Sequence, residues 1–168
     1  LGLALIDYPD SILKCSNKVY MTEALIAANI PTPKCVIFQK ENKEQAFETI
    51  GLPCVLKLPD STFSFGVKKA ETKEEFEQIA QNMLKMSDLI ICQEYVFTDF
   101  DWRIGVLDGE VIYACKYFMA RGHWQIYNWK AKSEVGKEGN FATLPLDQVP
   151  PKVIQIALKS AKLVGDGL

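Results

Sequence analysis

The chain reads as a mixed α+β protein, because short apolar strands bracketed by prolines alternate with amphipathic helices and a two-stranded hairpin. Three stretches carry that reading. Thr72 and Glu75 have capping-box spacing, and Phe76, Ile79, Ala80, Met83 and Leu84 then recur at helical intervals. Pro53-Cys54-Val55-Leu56-Lys57-Leu58-Pro59 is a short apolar run between prolines, which predicts a strand. Asp101 to Leu107 and Glu110 to Phe118 alternate on either side of Asp108-Gly109, a dipeptide that accepts the left-handed backbone of a tight hairpin.

The other elements follow in chain order. Ser16 is a predicted cap for a helix through Val19, Tyr20, Leu25 and Ile26 that ends near Asn29. Pro31 and Pro33 force an extended segment into Cys35-Val36-Ile37-Phe38, a strand. A short helix with Ala46, Phe47 and Ile50 on one face stops at Gly51. Asp60 to Gly66 is a polar loop, Val67 starts a return strand, and Leu89 to Gln93 is a further strand. The stretch from Gly122 to Gly139 is an irregular loop rich in Lys, Glu and Gly. Pro150-Pro151 opens a last helix whose apolar face is Val153, Ile156, Ala157, Ala161 and Val164.

With 168 residues, 48% of them hydrophobic and 24% charged, the chain suits one domain or two small lobes sharing a core. A net charge of -2 and a pI near 5.5 argue against a nucleic-acid binder, which needs a basic face. Cys15, Cys35, Cys54, Cys92 and Cys115 are odd in number, widely spaced and partly embedded in apolar runs. They read as buried free thiols of a reducing, cytoplasmic compartment rather than a disulfide framework. His123 is the only histidine, so a histidine-rich metal site is excluded. No basic segment leads an apolar N-terminal run, and no apolar run reaches the roughly 20 residues that span a bilayer. Because the sequence starts at Leu1 and stops at Gly165-Asp166-Gly167-Leu168, a longer parent protein is expected.

Lys57 stands in an otherwise apolar strand, where its ammonium needs an anion or a cleft. It either reaches solvent or pairs with Glu94 or Asp101, or it binds phosphate together with the Asp60 to Gly66 loop that follows. In protein kinases the glycine-rich loop precedes the strand lysine; here the loop comes after it, which disfavours a kinase. Gln93-Glu94-Tyr95-Val96 is either a crossover or an extended edge that offers main-chain groups to adenine. Asp101 is either a turn acid or a ribose ligand. Strand alternation places Asp101 and Arg103 on one side and Trp102 on the other. Asp101 and Arg103 form an ion pair, or Arg103 addresses phosphate or an acidic substrate; Lys116 either extends that positive wall or is a surface lysine. His123 is a structural residue or a general base, and Trp124 and Trp129 line a pocket or, by preference, plug a core.

Together these segments resemble the ATP-grasp superfamily, and most closely its RimK-like branch of glutamate ligase and glutathione synthase relatives. The resemblance spans about Ser16 to Leu168. It rests on Asn17-Lys18 before Ile30-Pro31-Thr32-Pro33, on Val55-Leu56-Lys57, on the Ser64 to Gly66 loop, on Gln93-Glu94-Tyr95-Val96 and on Asp101-Trp102-Arg103. It implies two α+β lobes with nucleotide between them, the C-terminal lobe incomplete. Residues 1–33 would be a linker and entry helix, 34–95 a small lobe with the phosphate loop, and 96–168 part of a large lobe. Lys18 and Lys57 would contact ATP phosphates under the loop carrying Ser64 and Gly66. Gln93, Glu94, Tyr95 and Val96 would hold adenine, Asp101 the ribose, and Arg103 and Lys116 the phosphates, Arg103 in a catalytic role. His123, Gln125 and Tyr127 fall in the stretch that approaches phosphate or acceptor, with Gln125 where relatives often carry a basic residue.

Family enzymes activate a carboxylate as an acyl phosphate, which an amine then attacks, with two Mg2+ ions across the phosphates. The resemblance implies ATP, a carboxylate and an amine as partners, no membrane or nucleic acid, and room for a homo-oligomer. It places the metal carboxylates beyond the end of this chain, with Asp166 preceding the first of them. The expectation is therefore that residues 1–168 hold ATP weakly and lack turnover alone. A non-catalytic ATP-binding scaffold is the alternative, and a plain α+β domain in which Lys57 and Asp101 form a structural pair is the third reading.

Overall fold

The computed structural model describes residues 7–62, 64–132 and 136–165. The chain divides into two compact units, Ile12–Val96 and Leu1–Ser11 with Phe97–Leu168. The first contains a four-stranded sheet and the second a three-stranded one, and every pairing in both is antiparallel. Among the described residues no helix is long and apolar enough to cross a membrane.

The helix α1 (Pro9–Ser16) was not legible in the sequence. It also moves the next cap. Ser16 closes α1, its hydroxyl donating to Leu13 O at 2.9 Å, so it does not cap α2 (Lys18–Ala27). Asn17 does, its side chain accepting from Tyr20 N at 3.0 Å. The strand β1 (Cys35–Phe38) leads through a 3₁₀ turn (Lys40–Asn42) to α3 (Lys43–Ile50), which Gly51 ends with a φ of 76°. Then come β2 (Cys54–Lys57), β3 (Val67–Ala70), α4 (Lys73–Met83) and β4 (Ile90–Glu94). The capping box of α4 is displaced by one residue. Thr72 Oγ1 accepts from Glu75 N as expected, but Glu75 Oε2 accepts from Glu71 N instead of Thr72 N.

The strand order is β1-β4-β2-β3. Register sets Val36, Phe38, Cys54, Leu56, Ala70, Ile90 and Cys92 on one face, and α3 and α4 seal it with Ala46, Phe76, Ala80 and Met83. Phe76 is the hub, its ring 4.9 Å from Phe47 and 6.1 Å from Phe38. The opposite face carries Cys35, Ile37, Val55, Lys57, Lys69, Ile91 and Gln93.

In the second unit β5 (Phe100–Leu107) and β6 (Glu110–Phe118) form the expected hairpin, and both turn residues are left-handed, Asp108 at 48° and Gly109 at 72°. A third strand, β7 (Phe141–Leu144), pairs with β6 and had been assigned no element from sequence. After a 3₁₀ turn (Leu146–Gln148), α5 (Pro151–Val164) starts with proline in its first turn. It contacts β5 and β6. The register slips by one inside the hairpin: Val106 pairs with Val111, but Gly105 pairs with Tyr113, so Ile112 is an extra residue, a β-bulge.

Two expectations about side chains need correction. The thiols of Cys54, Cys92 and Cys115 are buried, but Cys35 is half-buried and Cys15 exposed, because neither is covered by the helices that seal the core. A mutual hydrogen bond between the buried neighbours pushes the Cys92 thiol up and the Cys54 thiol down. Trp129 does not plug a core; it is half exposed and lies stacked on Tyr127, centroids 5.7 Å apart and planes 18° apart.

Candidate nucleotide site

In the four-stranded unit, strand β2 brings Lys57 to the sheet face opposite α3 and α4, where its ammonium donates to Gln93 Oε1 at 2.8 Å. Two residues apart in register, the side chains share a face, and the amide holds the lysine stem against the sheet. Lys69 lies on the same face, opposite Val55, with its ammonium 4.6 Å from the centre of the Tyr95 ring and 2.6 Å from Glu71 Oε1. This second cation was missed by sequence reasoning. Period-two counting along Val67-Lys68-Lys69-Ala70 would have found it, since alternate residues of β3 share a face.

Past β2 the chain turns back to β3, and Leu58 N donates to Gly66 O at 2.9 Å to close the turn. Ser64 and Gly66 are both left-handed, with φ of 62° and 70°. Gly66 has no room for a Cβ, which would meet Leu58 Cδ1 and Ser61 Cβ at 2.9 Å, so both backbone sign and space select glycine. Phe63 in this loop, and Asp166 at the other end of the chain, lie outside the described residues.

Lys18 sits at the first position of α2 and reaches the base of that loop. Its amine donates to the carbonyl of Ser61, to Ser61 Oγ at 3.1 Å and to Pro59 O at 3.4 Å. Its backbone N–H donates to Pro59 O at 3.0 Å, and the side chain of the preceding Asn17 donates to Asp60 Oδ1 at 3.0 Å. Burial lowers the Lys18 amine below its usual 10.5, with Asp60 acting weakly the other way. Asn17 entered the sequence reading only as part of the Asn17-Lys18 pair and Ser61 only as part of its loop, because their roles follow from a contact across more than forty residues.

The proposed adenine edge is narrower than the sequence suggests. Strand β4 is interior, with β1 on one side and β2 on the other. Glu94 N donates to Lys34 O and Tyr95 N to Pro53 O, while the Glu94 carboxylate accepts from Lys34 N at 2.6 Å. Half-exposed Val96 follows. Carbonyl lone pairs and Val96 are what this edge can offer a base.

In the three-stranded unit, Asp101 and Arg103 share a face with Tyr117, Cys115 and Thr143. The Arg103 guanidinium lies 5.4 Å from the Tyr117 ring centre, and Cys115 Sγ is 3.3 Å from Thr143 Oγ1. Lys116 does not join them. It pairs with Trp102, on the reverse face, its ammonium 4.4 Å from the Phe100 ring and 5.2 Å from Trp102. Of the two sequence readings of Lys116, a wall shared with Arg103 is not formed on this sheet, because the bulge at Ile112 turns Lys116 to the other side.

His123 enters a turn through its N–H to Ala120 O at 2.8 Å, and its ring lies 6.0 Å from Trp124. Gln125 O accepts from Ala120 N, and Tyr127 makes an isolated bridge with Glu138. The loop read as irregular thus contains a short ribbon that fixes all three candidate acceptor-side residues. Among the described residues no group of three or more His, Cys, Asp or Glu side chains comes together.

Comparison with known proteins places the chain. A family model described as a RimK-like ATP-grasp domain matches residues 15–165. The α-aminoadipate–LysW ligase LysX of Saccharolobus solfataricus is 26% identical over 98% of this chain and 58% of its own length. A D-alanine–D-alanine ligase of Aquifex aeolicus is 24% identical over 88% of the chain and 49% of its length. The crystal structure of D-alanine–D-alanine ligase from Bacillus anthracis superposes with a TM-score of 0.71 at 18% identity, covering 92% of this chain and 50% of that one. The chain spans about half the length of the relatives it matches. With residues 15–165 of its 168 matched by one family model, the chain belongs to the RimK-like ATP-grasp family.

Proposed function

We propose that this chain is the nucleotide-holding part of an ATP-dependent carboxylate–amine ligase. Lys57 carries the reading: a strand-borne ammonium held by Gln93, on the face away from the core, next to a turn whose Ser64 and Gly66 are bent into left-handed conformations. Backbone N–H groups of such turns face anions, and an ammonium at the same place adds charge. In this assignment Lys57, Lys18 and the turn hold phosphates, the edge through Glu94, Tyr95 and Val96 receives adenine, and Asp101 and Arg103 of the three-stranded unit take ribose and phosphate. Lys116 drops out of the ligand set, since its face is shared with Trp102 and Phe100.

The chemistry that follows is an acyl-phosphate ligation. A substrate carboxylate oxygen attacks the terminal phosphorus of ATP and ADP leaves; an amine then attacks the acyl carbon, phosphate leaves, and an amide remains. Arg103 would stabilise charge on the transferred group, and its exposed guanidinium lies over the Tyr117 ring. His123, Gln125 and Tyr127 are assigned to the acceptor side. The named relatives are all ligases, which supports this reading over a scaffold that binds nucleotide without turnover.

The test is calorimetric titration of ATP into the protein and into Lys57→Met and Asp101→Asn. Removing a hydrogen bond to a charged group typically costs about 1.5–3 kcal/mol, so Kd should rise roughly 10- to 150-fold for Lys57→Met. Unchanged affinity in both variants would overturn the assignment.

A further inference from the structure

The structure points to a role for Lys18 that differs from simple phosphate contact. Its amine is already engaged by three oxygens of one loop, the Ser61 carbonyl, Ser61 Oγ and Pro59 O. Two further bonds run in parallel, from Lys18 N to Pro59 O and from Asn17 Nδ2 to Asp60 Oδ1. Five donations thus stitch the first turn of α2 to residues 59–61, across more than forty residues of sequence. The segment then passes into the Ser64–Gly66 turn, whose close packing of Gly66 on Leu58 and Ser61 transmits the position of Ser61 directly.

We propose that Lys18 is a positioning residue: before nucleotide arrives, its amine clamps Ser61 and so fixes where the donors of the Ser64–Gly66 turn stand. The clamp rests on the reading of that turn as a phosphate site, but its existence does not. A preorganised turn presents its N–H groups without first paying the entropy of ordering them, which raises affinity for the phosphates and leaves affinity for the nucleoside alone. Because Lys18 reaches the loop through main-chain oxygens, no change at Ser61 alone removes the clamp. The partial burial that lowers the Lys18 amine is consistent with an ammonium turned inward onto the loop rather than outward to solvent.

Amide hydrogen exchange by NMR, without nucleotide, reads the clamp. Lys18→Met should speed exchange at least tenfold at Leu58 and Phe65, whose N–H groups donate to Gly66 O and Thr62 O, while protection in α4, at Phe76 and Ala80, stays as it was. Lys18→Arg, which keeps a cationic donor, should restore most of the protection. The same variants titrated with ATP and with adenosine give the second readout. Lys18→Met should weaken ATP at least tenfold and leave adenosine unchanged, with Lys18→Arg recovering part of the loss. If Lys18→Met does not fold, Lys18→Gln, a shorter neutral donor, is read the same way. Unaltered exchange at these two loop amides overturns the clamp, whatever happens to ATP. Faster loop exchange together with ATP affinity indifferent to Lys57→Met leaves the clamp standing and removes the phosphate reading instead.

Discussion

The two units solve the same problem differently. In Ile12–Val96 the sheet face bearing Leu56, Cys92 and Phe38 is closed by two helices, and Phe76 and Ala80 are fully buried beneath them. In the other unit α5 contacts the three-stranded sheet with none of its own residues fully buried, and Phe141 remains 70% exposed. A closed core fixes side-chain positions to fractions of an ångström, as a lysine and a turn that meet phosphate require. The looser sheet carries Asp101 and Arg103 on a strand whose partner is bulged, where geometry depends on a single extra residue.

The largest expected effect tests whether the contrast in packing is energetic as well as geometric. Phe76→Ala should lower unfolding free energy by about 3–5 kcal/mol, the range for emptying a filled aromatic site. Phe141→Ala should cost less than about 1 kcal/mol, since it uncovers little that water does not already reach. Comparable losses in urea denaturation would erase the distinction. Next in size is Gly105→Ala in the open sheet. A Cβ there would stand 2.1 Å from Tyr113 Cε1, so the ring has to leave its seat over the strand. A loss of about 1–3 kcal/mol is expected, as for other overpacking changes, with tyrosine chemical shifts reporting the ring's displacement. An unmoved ring at full stability would show that the open sheet is more adaptable than its contacts suggest.

What the sequence disclosed follows the same division. The helix α4 was legible because Thr72 and the spacing of Phe76, Ala80 and Met83 act locally, and β2 because prolines bracket it. The hairpin turn was equally plain, yet its register was not. Continuing the pairing set by Asp108-Gly109 would have put Lys116 opposite Asp101; the inserted Ile112 sets it opposite Trp102 instead. One residue moved a candidate ligand to the wrong face, as the two-residue period of a strand dictates. The partners of Lys18 were hidden for another reason, being made between segments far apart in the chain. Missing β7 reflects its length of four residues, directly after a stretch rich in Lys, Glu and Gly that reads as loop.

Smaller effects refine the picture of the closed unit. Thr72→Ala removes the acceptor for Glu75 N and should cost about 1 kcal/mol in thermal or urea unfolding. A smaller loss would mean that the shifted Glu75–Glu71 bond replaces the cap. Least of all is a pH effect at Lys18. Its amine is held below 10.5 chiefly by burial, so the unfolded chain binds more protons in the interval beneath 10.5. The fold therefore gains stability as pH rises through that interval and loses the gain as pH falls past the lowered value. Comparing the slopes of stability against pH for the protein and Lys18→Met isolates it, and parallel slopes would remove the effect.

Strand β3 is an outer strand of the four-stranded sheet, with one row of backbone donors and acceptors that no neighbour of that sheet covers. Its middle residues are Lys68 and Lys69. Ammonium groups on an outer strand repel a second copy approaching in register, so the pair guards against edge-to-edge aggregation as well as whatever Lys69 contributes beside Tyr95. Natural variation that replaced both lysines with Val or Thr would raise β propensity and remove that barrier together, turning a solvated margin into a template for fibril growth.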